Sequence, residues 1–314
     1  MAIPLCHRRK NMNIFKNTKS SIPEATPKEE TADAVSSVEV AEKISSVEIV
    51  ENEPEKKVEK KPRKTVVVSR MGSDHIFGNI NNQDFAFYLP VGVKFVADGC
   101  GSGKHSEVGS KLFGQLFAQK VMNLYAEGET LTEENFTAAV DDVFSILLTA
   151  SMDPRFIFNN YCFTILCCVE HEDEFVVFSS GDGYIITEDE SGISYIKLDD
   201  GEYPAYYVYN FVEDKSKLAA YQGGVSFQIR SFPKDTFTNV GVASDGLRYV
   251  EELFDEEKFK LRRYLHEGKG PQIEMLINRN NREEKVKILD EQGNQIRSII
   301  TKSQKLHDDI SIVF

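Results

Sequence analysis

Residues 82–103 read Asn82-Gln-Asp-Phe-Ala-Phe-Tyr-Leu-Pro-Val-Gly-Val-Lys-Phe-Val-Ala-Asp-Gly-Cys-Gly-Ser-Gly103. Two β-rich runs lie in this stretch, Asp84–Leu89 and Val91–Ala97, bounded by Asn, Pro and Gly. With Thr65-Val-Val-Val-Ser69 just upstream they predict three short strands. An acid stands at the edge of each of the two runs: Asp84 opens the first and Asp98 follows the second.

Working outward toward the C-terminus, the texture turns helical. One helix is expected from about Ser106, with an apolar stripe at Val108, Leu112 and Leu116 and with Phe113, Phe117 and Val121 beside it. A second starts at Thr132, where Glu133 and Glu134 suit the positive end of a helix dipole, and carries Phe136, Val140, Val143 and Leu147 on one face. Residues 161–244 return to short β-rich runs separated by turn residues, the pattern of antiparallel sheet. Helical patterns resume at Glu251–His266 and Pro271–Ile277, and the chain closes on Ile310-Ser-Ile-Val-Phe314. This order predicts an α+β fold, a β-sandwich of two stacked antiparallel sheets flanked by helices.

Working outward toward the N-terminus, the composition changes. Residues 16–64 contain no aromatic residue and are dominated by Ser, Glu, Lys and Pro, too little apolar surface to offset ordering entropy. Residues 1–64 are therefore expected to be a disordered tail and 65–314 the folded domain. Inside the tail sits a nine-residue near-repeat, Val35-Ser-Ser-Val-Glu-Val-Ala-Glu-Lys43 followed by Ile44-Ser-Ser-Val-Glu-Ile-Val-Glu-Asn52.

The formal charge of −13 is concentrated in the folded part, where residues 70–314 hold 24 Lys and Arg against 39 Asp and Glu. Such a surface repels a phosphate backbone, which argues against a nucleic-acid partner. The five cysteines are odd in number, and Cys162, Cys167 and Cys168 fall in one apolar strand-like stretch, as reduced core thiols do. No apolar run is long enough to span a membrane, and the first residues lack a signal-peptide apolar core, so a cytoplasmic protein is expected. A monomer is expected as well.

Acids at the ends of β-runs recur: Asn82-Gln83-Asp84, Ala97-Asp98-Gly99, Ser180-Gly181-Asp182-Gly183, Ala243-Ser244-Asp245-Gly246 and His307-Asp308-Asp309-Ile310-Ser311. Singly, each is a turn signal. Gathered together, ionised carboxylates repel by about 4 kcal/mol per pair at 4 Å and an effective dielectric near 20. A cluster of them calls for cations, and an all-oxygen donor set suits Mg²⁺ or Mn²⁺ and not zinc.

The order and context of these five motifs, from about Ser69 to Phe314, resemble the metal-dependent protein phosphatases of the type 2C (PPM) family. Ser73-Asp74-His75 before Asn-Gln-Asp, and Ser106-Glu107-Val108-Gly109 after the Asp-Gly motif, are similar to a bacterial subgroup with signalling roles. The resemblance implies the family's αββα sandwich and hydrolysis of phosphoserine and phosphothreonine in one displacement, by a water held between two metals. It implies that Asp98 bridges the metals, that Asp245 and Asp308 complete one site, and that Asp84 and the Gly99 carbonyl serve the other. Asp182 would correspond to the ligand of a third, weaker metal. Asp98, Asp245 and Asp308 would then carry the catalysis through the water they help to hold. The implied partners are phosphorylated proteins, with a bacterial serine/threonine kinase or its substrates among them. The resemblance makes Asp308 the last ligand, and because consecutive strand residues point to opposite faces, only one of Asp308 and Asp309 is expected to aim at the metals.

Two positions depart from the family. Asn79 stands where many members have the arginine that binds substrate phosphate, and Cys100 stands where eukaryotic members have a histidine proposed as general acid. Lys104 is a candidate phosphate-binding cation, and His105 and His307 are candidates near the presumed ligands. Two other readings fit the same residues. One is a pseudophosphatase or phosphoprotein-binding module of this fold, and the other is a phosphatase for a small phosphate ester.

Overall fold

The computed structural model describes residues 64–198, 204–213, 224–251, 255–281, 283–302 and 306–314. The expected tail and its near-repeat lie outside the described residues, apart from Lys64.

Two five-stranded antiparallel sheets form the centre. One runs β1 (Val67–Arg70), β12 (Ile310–Val313), β9 (Asn239–Ala243), β6 (Gly183–Asp189), β7 (Gly192–Leu198). The other runs β2 (Phe85–Leu89), β3 (Val93–Ala97), β4 (Ile165–Glu170), β5 (Glu174–Ser180), β8 (Gln228–Pro233). The inner strands are apolar on both faces because both faces are covered. Along β3, Val93, Phe95 and Ala97 join a core shared with helices, while Val96 joins the core between the sheets. In β4, Ile165, Cys167 and Val169 take the helix side and Leu166 and Cys168 the sheet side, the period of two that a strand imposes. The cysteines of this stretch are buried and free, and burial pushes the Cys162 thiol up to about 12.

Helices α2 (Ser106–Ala126) and α3 (Glu133–Leu147) cover the second sheet through a run of rings. Phe113 and Phe117 stack on each other 5.8 Å apart, and Phe136 stacks on Phe178 of β5 at 4.3 Å. Such pairs add about 0.5–1.5 kcal/mol each beyond the area they bury. The expected stripe of α2 is corrected here. Val108 and Leu112 are exposed, and the buried face is Gly109, Ser110, Phe113, Gly114, Phe117 and Val121. Gly109 and Gly114 explain the choice: a Cβ on Gly109 would lie 1.7 Å from the Asn160 carbonyl oxygen, so the helix turns its smallest residues inward and packs closely. Thr132 caps α3 as expected, accepting from the Asn135 N–H, a contact worth about 1 kcal/mol.

On the other face, α6 (Asp255–His266) and α7 (Gly270–Asn280) pack Leu261, Leu265, Ile273 and Ile277 against Val66, Val68, Ile186 and Ile312. The sequence pattern at Glu251–His266 divides into α5 (Arg248–Glu251) and α6. Among the described residues, elements without an expectation include α1 (Ser73–Gly78), α4 (Pro154–Asn160), a 3₁₀ helix at Tyr207–Phe211 and a separate two-stranded sheet of β10 (Glu283–Leu289) and β11 (Gln295–Lys302). Asn79 closes α1 in the left-handed conformation, φ 54 and ψ 41, one of the few residues that tolerates it.

Candidate active site

Strand register gathers the acids at one end of the sandwich. β2 pairs with β3 as Phe85↔Ala97, so Asp84 and Asp98 are the next opposed pair. β6 pairs with β9 as Tyr184↔Ala243, which sets Asp182 and Asp245 side by side where those strands end. β12 pairs with β9 as Ile312↔Ala243, so the segment entering β12 brings Asp308 and Asp309 to the same end. Gly246 allows the close approach, since a Cβ there would lie 1.9 Å from the Asp309 carbonyl oxygen.

The electrostatics show that these side chains feel one another. Asp98 is raised well above the usual carboxylate range, first by burial and then by the charges of Asp84, Asp245, Asp308 and Asp182. Burial and the charge of Asp309 push Asp84 up to about 7, and burial, with Asp308 and Asp182 adding to it, pushes Asp245 up to about 6 against the pull of Arg248. Five predicted ligands, Asp84, Asp98, Asp182, Asp245 and Asp308, therefore form one cluster. Gly99, the predicted carbonyl donor, sits in the loop after β3 with its N–H bonded to the Gln83 carbonyl at 3.2 Å.

Among the described residues no three acidic, His or Cys side chains are gathered closely enough to hold one ion. The donor set nonetheless fits hard divalent cations. All its donors are oxygens, and the Asp84 Oδ1 atom is buried with no hydrogen-bond partner. The raised pKa values express burial first and mutual repulsion second, and a cation would relieve both costs.

Supporting residues fix the cluster. The Ser244 hydroxyl donates to Asp84 Oδ2 at 2.7 Å and accepts from the Ser311 N–H at 2.9 Å. Asn82 Oδ1 accepts the Asp84 N–H at 2.9 Å. Asp309 is not idle. Buried at 2% exposure, it accepts from the Gly72 N–H at 2.8 Å and the Gln83 N–H at 2.6 Å and pairs with His75 Nδ1 at 2.8 Å. The Asp309 hydrogen bond holds His75 above its ordinary pKa. His75 of the Ser-x-His segment thus ties α1 to the last acidic motif.

The candidates beyond the acids divide. Lys104 and His105 are exposed, and Lys104 forms no ion pair with the cluster. His307 pairs weakly with Asp74, at 3.4 Å. The Cys100 sulfur lies 3.1 Å from the Ser102 hydroxyl and also meets buried Tyr206, the surroundings of a structural thiol. Arg248 went unnoticed in the sequence. Its guanidinium reaches Asp245 at 3.0 Å and Asp308 at 3.4 Å, and the only prior signal was a basic residue three places after the Ser-Asp-Gly aspartate.

Two stacked antiparallel sheets carry these carboxylates at the ends of their strands. The protein phosphatase 2C profile matches residues 71–276, and the chain belongs to that family, the phosphoprotein phosphatases that act on serine and threonine. Among solved structures, a single-substitution variant of a bacterial serine phosphatase is similar at a TM-score of 0.53 and 15% identity, covering 80% of this chain and 97% of that one. The unsubstituted bacterial serine phosphatase is similar at 0.50 and 13%, covering 80% and 96%. The Staphylococcus aureus serine/threonine phosphatase Stp1 is similar at 0.49 and 16%, covering 80% and 94%. No curated protein matches the sequence. No described helix is long and apolar enough to cross a membrane.

Proposed function

We propose that this chain hydrolyses phosphoserine and phosphothreonine in proteins by direct attack of water, using Mn²⁺ or Mg²⁺ held at two positions. The observation that carries this reading is the cluster itself: acids from five separate motifs between residues 84 and 308 perturb one another at one end of the sandwich. Asp98 would be the ligand shared between the two positions, with Asp245 and Asp308 holding one and Asp84 and the Gly99 carbonyl the other, and Asp182 would serve a third, weaker one. When bound, the cations supply the Lewis acidity that makes water a nucleophile at neutral pH and draws charge from the phosphoryl group. The chain's own contribution is placement. Ser244 and Asn82 fix Asp84, and the β2–β3 register fixes Asp84 against Asp98. The partners this implies are phosphorylated proteins and, upstream of them, a bacterial serine/threonine kinase.

Purified protein supplied with Mn²⁺ or Mg²⁺ is expected to turn over p-nitrophenyl phosphate and a phosphothreonine peptide, and EDTA is expected to stop both. Phosphopeptide binding without turnover under every divalent ion would establish the pseudophosphatase reading instead. Turnover of small esters alone would establish the other.

A further inference from the structure

We propose that Arg248 binds the substrate phosphate, supplying the positive charge that position 79 lacks; this rests on the phosphatase reading above. Residue 79 is committed to its backbone. It closes α1 with positive φ, and its N–H is bonded to the His75 carbonyl, a position where asparagine is favoured over a long side chain. An asparagine amide there carries no charge.

Of the cations near the site, few are free for this role. Lys104 is exposed and unpaired with the cluster. Lys111 spends its ammonium on the Asn82 carbonyl at 2.8 Å, and Arg70 is paired with Glu274. Arg248 alone among these touches the carboxylates, with Nη1 on Asp245 and Nη2 on Asp308. It is also 45% exposed, so the same guanidinium faces the acids on one side and solvent on the other, where a substrate arrives.

Its position does not depend on the acids alone. The guanidinium lies over the Tyr249 ring at 4.7 Å and donates to the Tyr249 hydroxyl at 2.8 Å, and that ring packs against His307 at 5.3 Å. The aromatic seat keeps the fork in place when Asp245 and Asp308 give their oxygens to cations. The hydrogens on Nη1 and Nη2 are then available to two phosphate oxygens, the planar bidentate geometry that arginine offers and lysine does not.

The test measures inorganic phosphate binding by calorimetry on Mn²⁺-saturated wild type, Arg248→Gln and Arg248→Lys, with Mn²⁺ affinity and p-nitrophenyl phosphate kinetics measured alongside. Arg248→Gln is expected to weaken phosphate binding and raise KM by about tenfold or more, the usual weight of a charge-assisted pair, with Mn²⁺ affinity unchanged or tighter. Arg248→Lys is expected to fall between the two. Phosphate affinity and KM within about twofold of wild type would overturn the proposal. So would a loss of Mn²⁺ affinity with phosphate binding to the loaded site intact, because Arg248 would then only prop Asp245. Phosphate binding is read without turnover, so a wild type that binds phosphate through Arg248 yet hydrolyses nothing would sink the phosphatase reading and leave this one standing.

Discussion

Asp309 shows how much one side chain can organise. Its two oxygens take the N–H groups of Gly72 and Gln83 and hold His75, so three positions of the 72–83 segment meet on one buried carboxylate more than 200 residues further along the chain. Truncation to alanine strands two buried N–H donors, each costing about 1–3 kcal/mol. Asp309→Ala is therefore expected to lower stability by about 2–4 kcal/mol in urea unfolding, and to lower turnover because Gln83 precedes the ligand Asp84. Unchanged stability in that variant would show that the three contacts carry no weight. Alternation along a strand does not apply to Asp308 and Asp309, which precede β12, and it could not reveal what Asp309 does. Its partners come from residues 72–83, and nothing in a linear sequence places them beside residue 309. Arg248 was hidden for a related reason. Its reach to Asp245 depends on the short 3₁₀ turn Asp245–Leu247 that leads into α5, and its reach to Asp308 depends on the β9–β12 pairing.

At the level of elements, close approach decides which face of a helix is buried. α2 offers two apolar faces at helical spacing, and periodicity alone cannot choose between Val108 with Leu112 and Phe113 with Phe117. The choice falls to Gly109 and Gly114, where the neighbouring Asn160 carbonyl and Phe85 ring come too near for any side chain. Gly109→Ala is expected to destabilise the fold by about 1–3 kcal/mol, lowering the thermal midpoint, because the helix must shift away from α4. A midpoint within a degree of wild type would mean that the contact gives way freely. The strands were the most legible elements, since burial on both faces writes continuous apolar runs such as Ile165–Val169. β10 and β11 were not legible. Their segments are rich in Lys, Glu, Gln and Arg, and among the described strands they pair with each other alone, so no apolar run marks them. Short α1 lacks the length to show a helical period.

For the molecule as a whole, the sandwich is a device for bringing strand ends together. Antiparallel pairing converts the positions 84, 98, 182, 245 and 308 into neighbours, and burial then forces their charges to interact. That convergence was readable in outline, because each acid marks the end of an apolar run and the five motifs occur in a family's order. What the sequence could not carry was the rim of the site, where Arg248, His75 and Asp309 act through contacts between distant segments. The division of labour inside the cluster gives the most direct test: turnover measured against Mn²⁺ concentration for wild type, Asp98→Asn and Asp182→Asn. Wild type should be silent in EDTA and saturate with Mn²⁺, Asp98→Asn should stay inactive at every concentration because the shared ligand is gone, and Asp182→Asn should be impaired yet saturable. Recovery of Asp98→Asn to wild-type turnover at high Mn²⁺, or turnover by the wild type without any divalent ion, would contradict a catalytic centre built on a shared Asp98.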